Sequence, residues 1–265
     1  MDWIRSQLQY GKSFDCILQV GDITDYNSTT HWQRFYDSTF TVAEKIPYIA
    51  CTGNHDYDWD ENGRIYDRTS TLINSYATFP STCQNIVACY EEGKIENIVV
   101  SNEVFGERYD ILVLEFGPRK EVVKWANDYV SACRDRKFIL MTHEFLTRNG
   151  ERISSGSYAE WQIQKSSWSS PENIWQKLIK DNDNIVCVVC GHNGFSTQLY
   201  SPNTVGRDVP QILFNLQYQK NGGDGMIQLW EFPKQGDSVS VRVYNTIKHE
   251  FHPDLSTSFK FRYRY

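Results

Sequence analysis

The sequence predicts an α/β (α+β) fold with its chemistry at the ends of its strands. Three observations lead there. Four short apolar runs each stop at a turn that carries a side chain able to hold a metal. Residues 16–20 lead into Gly21-Asp22, 49–51 into Gly53-Asn54-His55-Asp56, 138–141 into Thr142-His143, and 185–190 into Gly191-His192. Continuous apolar runs bounded by turn residues read as buried strands. Sheets of this class place ligands at the carboxyl ends of their strands. The second observation is that helix and strand patterns alternate over the first fifty residues, an α/β beginning. The third is that the chain has six histidines, and three of them lie at these strand ends.

Taken in order, residues 3–10 read as a helix with Ile4 and Leu8 on one face. The strand ending at Val20 follows, then a polar loop over 25–30. Residues 31–43 put Trp32, Phe35, Tyr36, Phe40 and Ala43 at helical spacing. His31 belongs to the start of that helix. Pro47 opens the strand into Gly53. Residues 56–101 read as an irregular insertion near the site, with a helical piece over 72–76 and a stop at Phe79-Pro80. Its aromatics Tyr57, Trp59 and Tyr66 read either as a substrate wall or as a satellite core. Residues 107–116 form a strand ended by Gly117-Pro118, and Val122, Ala126, Tyr129, Val130 and Cys133 mark a helix. A polar loop covers 147–170. Ser170-Pro171-Glu172 starts a helix, with a cap followed by proline in the first turn. Beyond Gly194, residues 211–215, 226–232 and 239–246 read as strands, and 249–265 as an aromatic, basic arm.

Length and composition set the bounds. At 265 residues, 40% hydrophobic and 23% charged, the chain reads as one globular domain spanning 1–265. Net charge is −6 and no basic patch stands out, so a nucleic-acid backbone is a poor partner. A phosphate substrate would need metal ions to supply positive charge. No apolar run is long enough for a membrane helix, and the charged opening Met1-Asp2-Trp3-Ile4-Arg5 is not a signal peptide. Of seven cysteines, Cys16, Cys51, Cys187 and Cys190 read as small buried hydrophobes. Cys83 and Cys89 are placed to pair if the protein is exported.

One Asp, one Asn and two His make a mixed oxygen and nitrogen donor set. It suits Zn, Mn or Fe better than Ca or Mg. His55 beside Asn54 is free to move a proton. Asp25, three residues after Asp22, is placed to orient it.

Gly21-Asp22-Ile23-Thr24-Asp25, Gly53-Asn54-His55-Asp56, Thr142-His143 and Gly191-His192, in this order, resemble the calcineurin-like metallophosphoesterases. The stretch 211–225, with Asn215-Leu216-Gln217-Tyr218-Gln219 and Gly222-Gly223-Asp224-Gly225, resembles the end of a bacterial, often exported, branch. The resemblance implies a metallo-dependent phosphatase-like fold, a four-layer αββα sandwich of two mixed β-sheets with the site on top. It implies metal ligands Asp22, Asn54, His143 and His192, with Asp22 bridging two metals. It implies His55 as proton donor, oriented by Asp25, and hydrolysis of a small phosphomonoester or phosphodiester by metal-activated water. Arg148, Arg152 and Asn215 are candidates for substrate binding.

The chain departs from the family in two places. The family opens with a strand ending in Asp-x-His or Asp-x-Gln, and no such strand precedes residue 22. Its last motif is usually Gly-His-x-His, and here the final position is Gly194. Both departures fall on the same metal. The expectations are therefore one or two divalent ions and an N-terminally truncated domain with a gap in one sheet. Location is secreted or periplasmic if a longer precursor carries a signal peptide, otherwise cytoplasmic. The alternative is a degenerate, non-catalytic binding protein of the same fold with one metal site or none.

Overall fold

The computed structural model describes residues 1–65, 67–104, 107–163, 167–254 and 257–264. Tyr66, named above, and residues 255, 256 and 265 of the arm lie outside the described residues. The elements run α1 (Asp2–Gln9), β1 (Ile17–Gln19), α2 (Thr29–Ala43), β2 (Tyr48–Ala50), α3 (Ile73–Tyr76), α4 (Pro80–Cys83), β3 (Ile86–Cys89), β4 (Ile98–Val100), β5 (Glu103–Val104) and β6 (Glu107–Val113). Then come α5 (Lys120–Ala132), β7 (Lys137–Met141), α6 (Tyr158–Gln162), α7 (Pro171–Ile174), β8 (Ile185–Cys190), β9 (Phe195–Pro202), β10 (Asp208–Asn215), β11 (Met226–Glu231), β12 (Ser238–Asn245), β13 (Glu250–Phe251) and β14 (Phe259–Arg262).

Local chemistry sets several starts. Ser28 caps α2 by accepting from the His31 N–H at 3.3 Å. Ser170 caps α7 by accepting from the Asn173 N–H, with Pro171 in its first turn. A hydroxyl at that position satisfies one of the donors that a helix start leaves open. After α7 the chain continues as a π-helical turn, Trp175–Ile179.

An eight-stranded sheet forms the spine, in the order β3-β4-β6-β7-β8-β10-β9, with β5 paired to β6. β6, β7, β8 and β10 run parallel in its middle, and antiparallel β4 and β9 flank them. Side chains alternate across it as strand geometry requires. Ile111, Val113, Ile139 and Met141 face one core, which also takes Ile49, Trp32, Val239 and Val241. Leu112, Leu114, Phe138 and Leu140 face the other, against Val122, Val130 and Leu178. Helices thus cover one face of the large sheet, and further strands cover the other.

The covering strands are not one sheet. Parallel β1 and β2 pair only with each other, while β11 to β14 form a separate four-stranded sheet. Between the two lies a cavity of about 1020 Å³. Its walls are Ile17, Leu18 and Gln19 of β1 and Ile227, Gln228 and Leu229 of β11. Ile111, Ile139, Val189 and Ile212 form its floor, and it reaches Asp22, His143 and His192 at one end. Among the described residues, the edges of β1 and β11 that face this cavity have no strand partner. Ile17 and Gln19 bond toward the β2 side, so strand alternation turns the Leu18 amide toward the cavity. In hydrogen-exchange mass spectrometry or NMR, the Leu18 amide is expected to exchange orders of magnitude faster than those of Leu112 or Leu140 in the central strands. Equal protection would mean that this edge is paired.

Three readings need correction. The segment 56–101 is not irregular throughout, because β3 and β4 within it extend the main sheet. The loop 147–170 contains α6, capped by Ser157 through the Glu160 N–H at 3.0 Å. A strand, β9, lies between Gly194 and residue 211 and pairs along the whole of β10. All seven cysteines are free, Cys83 and Cys89 included. Cys187 and Cys190 belong to opposite cores, which rules out a bond between them.

Candidate metal centre

The carboxyl ends of β1, β2, β7 and β8 converge, and each delivers the residue the sequence singled out. Oxygen and nitrogen atoms of Asp22, His143 and His192 lie within 4.8 Å of one another. His143 Nδ1 lies 2.5 Å from the Val20 carbonyl oxygen. A carbonyl can only accept, so this nitrogen carries a proton, and Nε2 is the atom turned to the cluster. Nε2 stands 3.2 Å from Asp22 Oδ1 and 3.1 Å from His192 Nδ1. Two ring nitrogens at that separation need a proton or a cation between them.

Asn54, the fourth candidate, precedes His55, whose N–H donates to Asp22. The Asn54 side chain is buried, and Oδ1 has no hydrogen-bond partner. A buried carbonyl oxygen left without a donor is costly unless a cation takes it. The donor set is one carboxylate, one amide oxygen and two imidazoles, in buried surroundings. These residues fit a divalent transition ion.

The charges are matched to that use. Burial raises the Asp22 carboxyl, but the imidazoles of His143, His55 and His192 outweigh it and hold the group down at about 2. For His192, burial and the neighbouring His143 push the imidazole down to about 3, so the ring is neutral. Burial lowers His143, yet Asp22 and the Val20 carbonyl raise it overall. Backbone strain concentrates here as well. Asp22 has φ 50° and His192 φ 63°, left-handed values that residues other than glycine seldom adopt outside functional turns.

Asp56 holds the two N-terminal turns together. It is fully buried and accepts from the N–H groups of Ile23 at 3.2 Å, Thr24 at 2.8 Å and Gly53 at 2.8 Å. The Thr24 hydroxyl adds a fourth bond at 3.1 Å. Burial pushes this carboxyl up to about 6, against the pull of those donors. Gly53 lets the turns approach, because a Cβ there would collide with the Asp22 carboxylate and backbone nitrogen. Gly53→Ala is therefore expected to displace Asp22 and lower metal affinity by at least about tenfold. Unchanged affinity by titration calorimetry would show that the turn has slack.

The other candidates divide. His55 Nδ1 lies 2.9 Å from the Asp25 carbonyl oxygen and 3.3 Å from its carboxylate, so the structure brings this pair together. The His55 N–H also donates to Asp22 Oδ1 at 3.2 Å. Arg152 does not serve the site. Its Nε donates to Glu172 at 2.6 Å and Nη1 to Gln211 at 2.8 Å, and the guanidinium lies over the Trp175 ring. Arg148 packs its guanidinium on the Phe195 ring. Asn215 is engaged in shaping the turn, donating to the His192 carbonyl at 2.7 Å and accepting from the Gln217 N–H at 2.9 Å. Tyr57 joins a satellite core with Ile65 and Phe116. Trp59 is only partly buried, with its ring against His55. One residue the sequence reading missed is Tyr158, whose ring meets His192 at 4.5 Å. The Ser157-x-x-Glu160 spacing, a capping signature, could have revealed the helix that carries it.

Known proteins resemble this chain in sequence and in fold. The Bacillus subtilis uncharacterized protein YvnB is 25% identical over 97% of this chain, which spans only 19% of YvnB. The Arabidopsis thaliana "probable inactive purple acid phosphatase 27" is 34% identical over 21% of this chain and 9% of its own length. Among solved structures, the purple acid phosphatase PPD1 from yellow lupin (Lupinus luteus) superposes with a TM-score of 0.55 at 14% identity, over 99% of this chain and 49% of that one. That likeness shows a shared fold. The sequence profile of the calcineurin-like phosphoesterases matches residues 1–196. With well over half of its length matched, the chain belongs to the calcineurin-like phosphoesterase family.

Proposed function

We propose that this chain is a metal-dependent phosphoesterase working with one divalent ion, Mn, Zn or Fe. Asp22, Asn54, His143 and His192 would hold it. The convergence of ligand atoms from Asp22, His143 and His192 carries the reading, and the unpartnered, buried Asn54 Oδ1 supports it. A bound ion of this kind polarises a phosphoryl oxygen and makes water a nucleophile near neutral pH.

The remaining steps belong to the protein. The Asp25 carbonyl fixes the His55 tautomer with its proton on Nδ1, which leaves Nε2 to exchange a proton with the departing oxygen. The Asp25 carboxylate stabilises the charged ring. The Val20 carbonyl holds His143 in one tautomer. Asp56 keeps the Asp22 and Asn54 turns in register.

A single ion is favoured by Gly194. A side chain at that position would run into the Tyr218 ring, because even a Cβ would lie 2.6 Å from it. The Tyr218 ring thus lies against the position where the family places its last histidine. The same observation favours a second reading, a metal-binding protein without turnover. Assays with 4-nitrophenyl phosphate and its bis ester, after loading with Mn, Zn or Fe, separate the two. The phosphoesterase reading expects turnover that a chelator abolishes and re-added metal restores. Absence of turnover with all three ions, on protein shown to hold metal, would favour the binding protein.

A further inference from the structure

Two partly exposed aromatic rings contact histidines at the site, Trp59 the His55 ring and Tyr158 the His192 ring. The Trp59 indole lies against the His55 ring with centroids 4.6 Å apart. Its Nε1 donates to the Asn54 carbonyl at 2.7 Å, which pins the ring to the turn that carries a metal ligand. Tyr26 approaches Trp59 edge-on at 6.3 Å and is 65% exposed. Tyr158 meets the His192 ring edge-on at 4.5 Å and is 50% exposed. Its backbone N–H donates to the buried Glu144 carboxylate at 2.9 Å.

Partly exposed rings in contact with His55 and His192 offer apolar area beside the donor cluster that gains when a ligand covers it. Of the two arginines considered for substrate binding, Arg152 is held by Glu172 and Gln211 and Arg148 lies over the Phe195 ring. The group attached to a phosphoryl bound at the donor cluster would have these two rings within reach. A planar ring gains from stacking beyond the area it buries, whereas a saturated ring of the same size gains only the burial.

Building on the phosphoesterase reading, we propose that the substrate's ester group carries a planar aromatic ring, an aryl or a nucleobase, which packs against Trp59 and Tyr158. The test uses three non-hydrolysable probes on Mn-loaded protein, with binding read by titration calorimetry: methylphosphonate, phenylphosphonate and cyclohexylphosphonate. Phenylphosphonate is expected to bind about tenfold more tightly than cyclohexylphosphonate. Trp59→Leu and Tyr158→Leu should each weaken phenylphosphonate by more than methylphosphonate and shrink that preference. Tyr158→Leu leaves the Trp59–Asn54 bond untouched, so a shift there cannot come from disturbance of the Asn54 turn. Methylphosphonate binding with no phenyl preference, or a preference that survives both variants, would overturn the aromatic assignment alone. Failure of all three phosphonates to bind would remove the phosphoesterase reading and this assignment with it.

Discussion

Asp22→Asn is expected to lower metal affinity by at least about 100-fold and to abolish turnover, while the protein stays folded. Asn is nearly the same size and tolerates the left-handed backbone at this position, so geometry is conserved. What goes is the one anion of the donor set. Groups that merely support metal ligands cost about 10- to 100-fold in affinity when removed, and a charged ligand should cost more. The His143 imidazole, which the carboxylate faces, loses its counter-charge as well. Circular dichroism would report the fold, and competition with a chromogenic chelator the affinity. Wild-type affinity in this variant would take Asp22 out of the centre.

His55→Ala is expected to give the opposite division: metal bound as in the native protein, and kcat lower by about 10² to 10⁴. His55 is not among the three clustered donors. Its side chain is tied to Asp25 instead. Its backbone N–H to Asp22 survives the substitution. The loss should be smaller for a substrate with a good leaving group such as 4-nitrophenolate, which departs with little need of a proton, than for an alkyl ester. Equal losses on both would argue that His55 positions the phosphoryl group rather than moving a proton. Full activity would remove it from the mechanism.

The parts of the site legible in the sequence are those that sit at strand ends. The Gly-Asp, Gly-Asn-His, Thr-His and Gly-His turns each follow an apolar run, and the strands carried them to one place. The pairing of Asp25 with His55 was also legible, through its spacing from Asp22. Contacts set by side-chain direction were not. Arg152 looked free in a polar loop, but the fold lays it beside Glu172, Ser201 and Gln211. Asp56 looked like a turn residue, and its four bonds reach across some thirty residues to the Asp22 turn as well as back to Gly53. Tyr158 reaches His192 only because α6 folds back over β8's end.

The same limit explains the fold. β3 and β4 are four and three residues long, too short for a periodic signal, and they exist because β6 offers them an edge. β9 is largely polar and half exposed, so its pairing with β10 comes from the backbone rather than from an apolar pattern.

The measurement closest to the central claim is metal content per chain, by elemental analysis of protein purified without chelator and of protein reloaded with Mn, Zn or Fe. The account predicts one ion per chain, lost in Asp22→Asn and retained in His55→Ala. No ion after reloading, or one that survives Asp22→Asn, would contradict the centre assembled from Asp22, Asn54, His143 and His192.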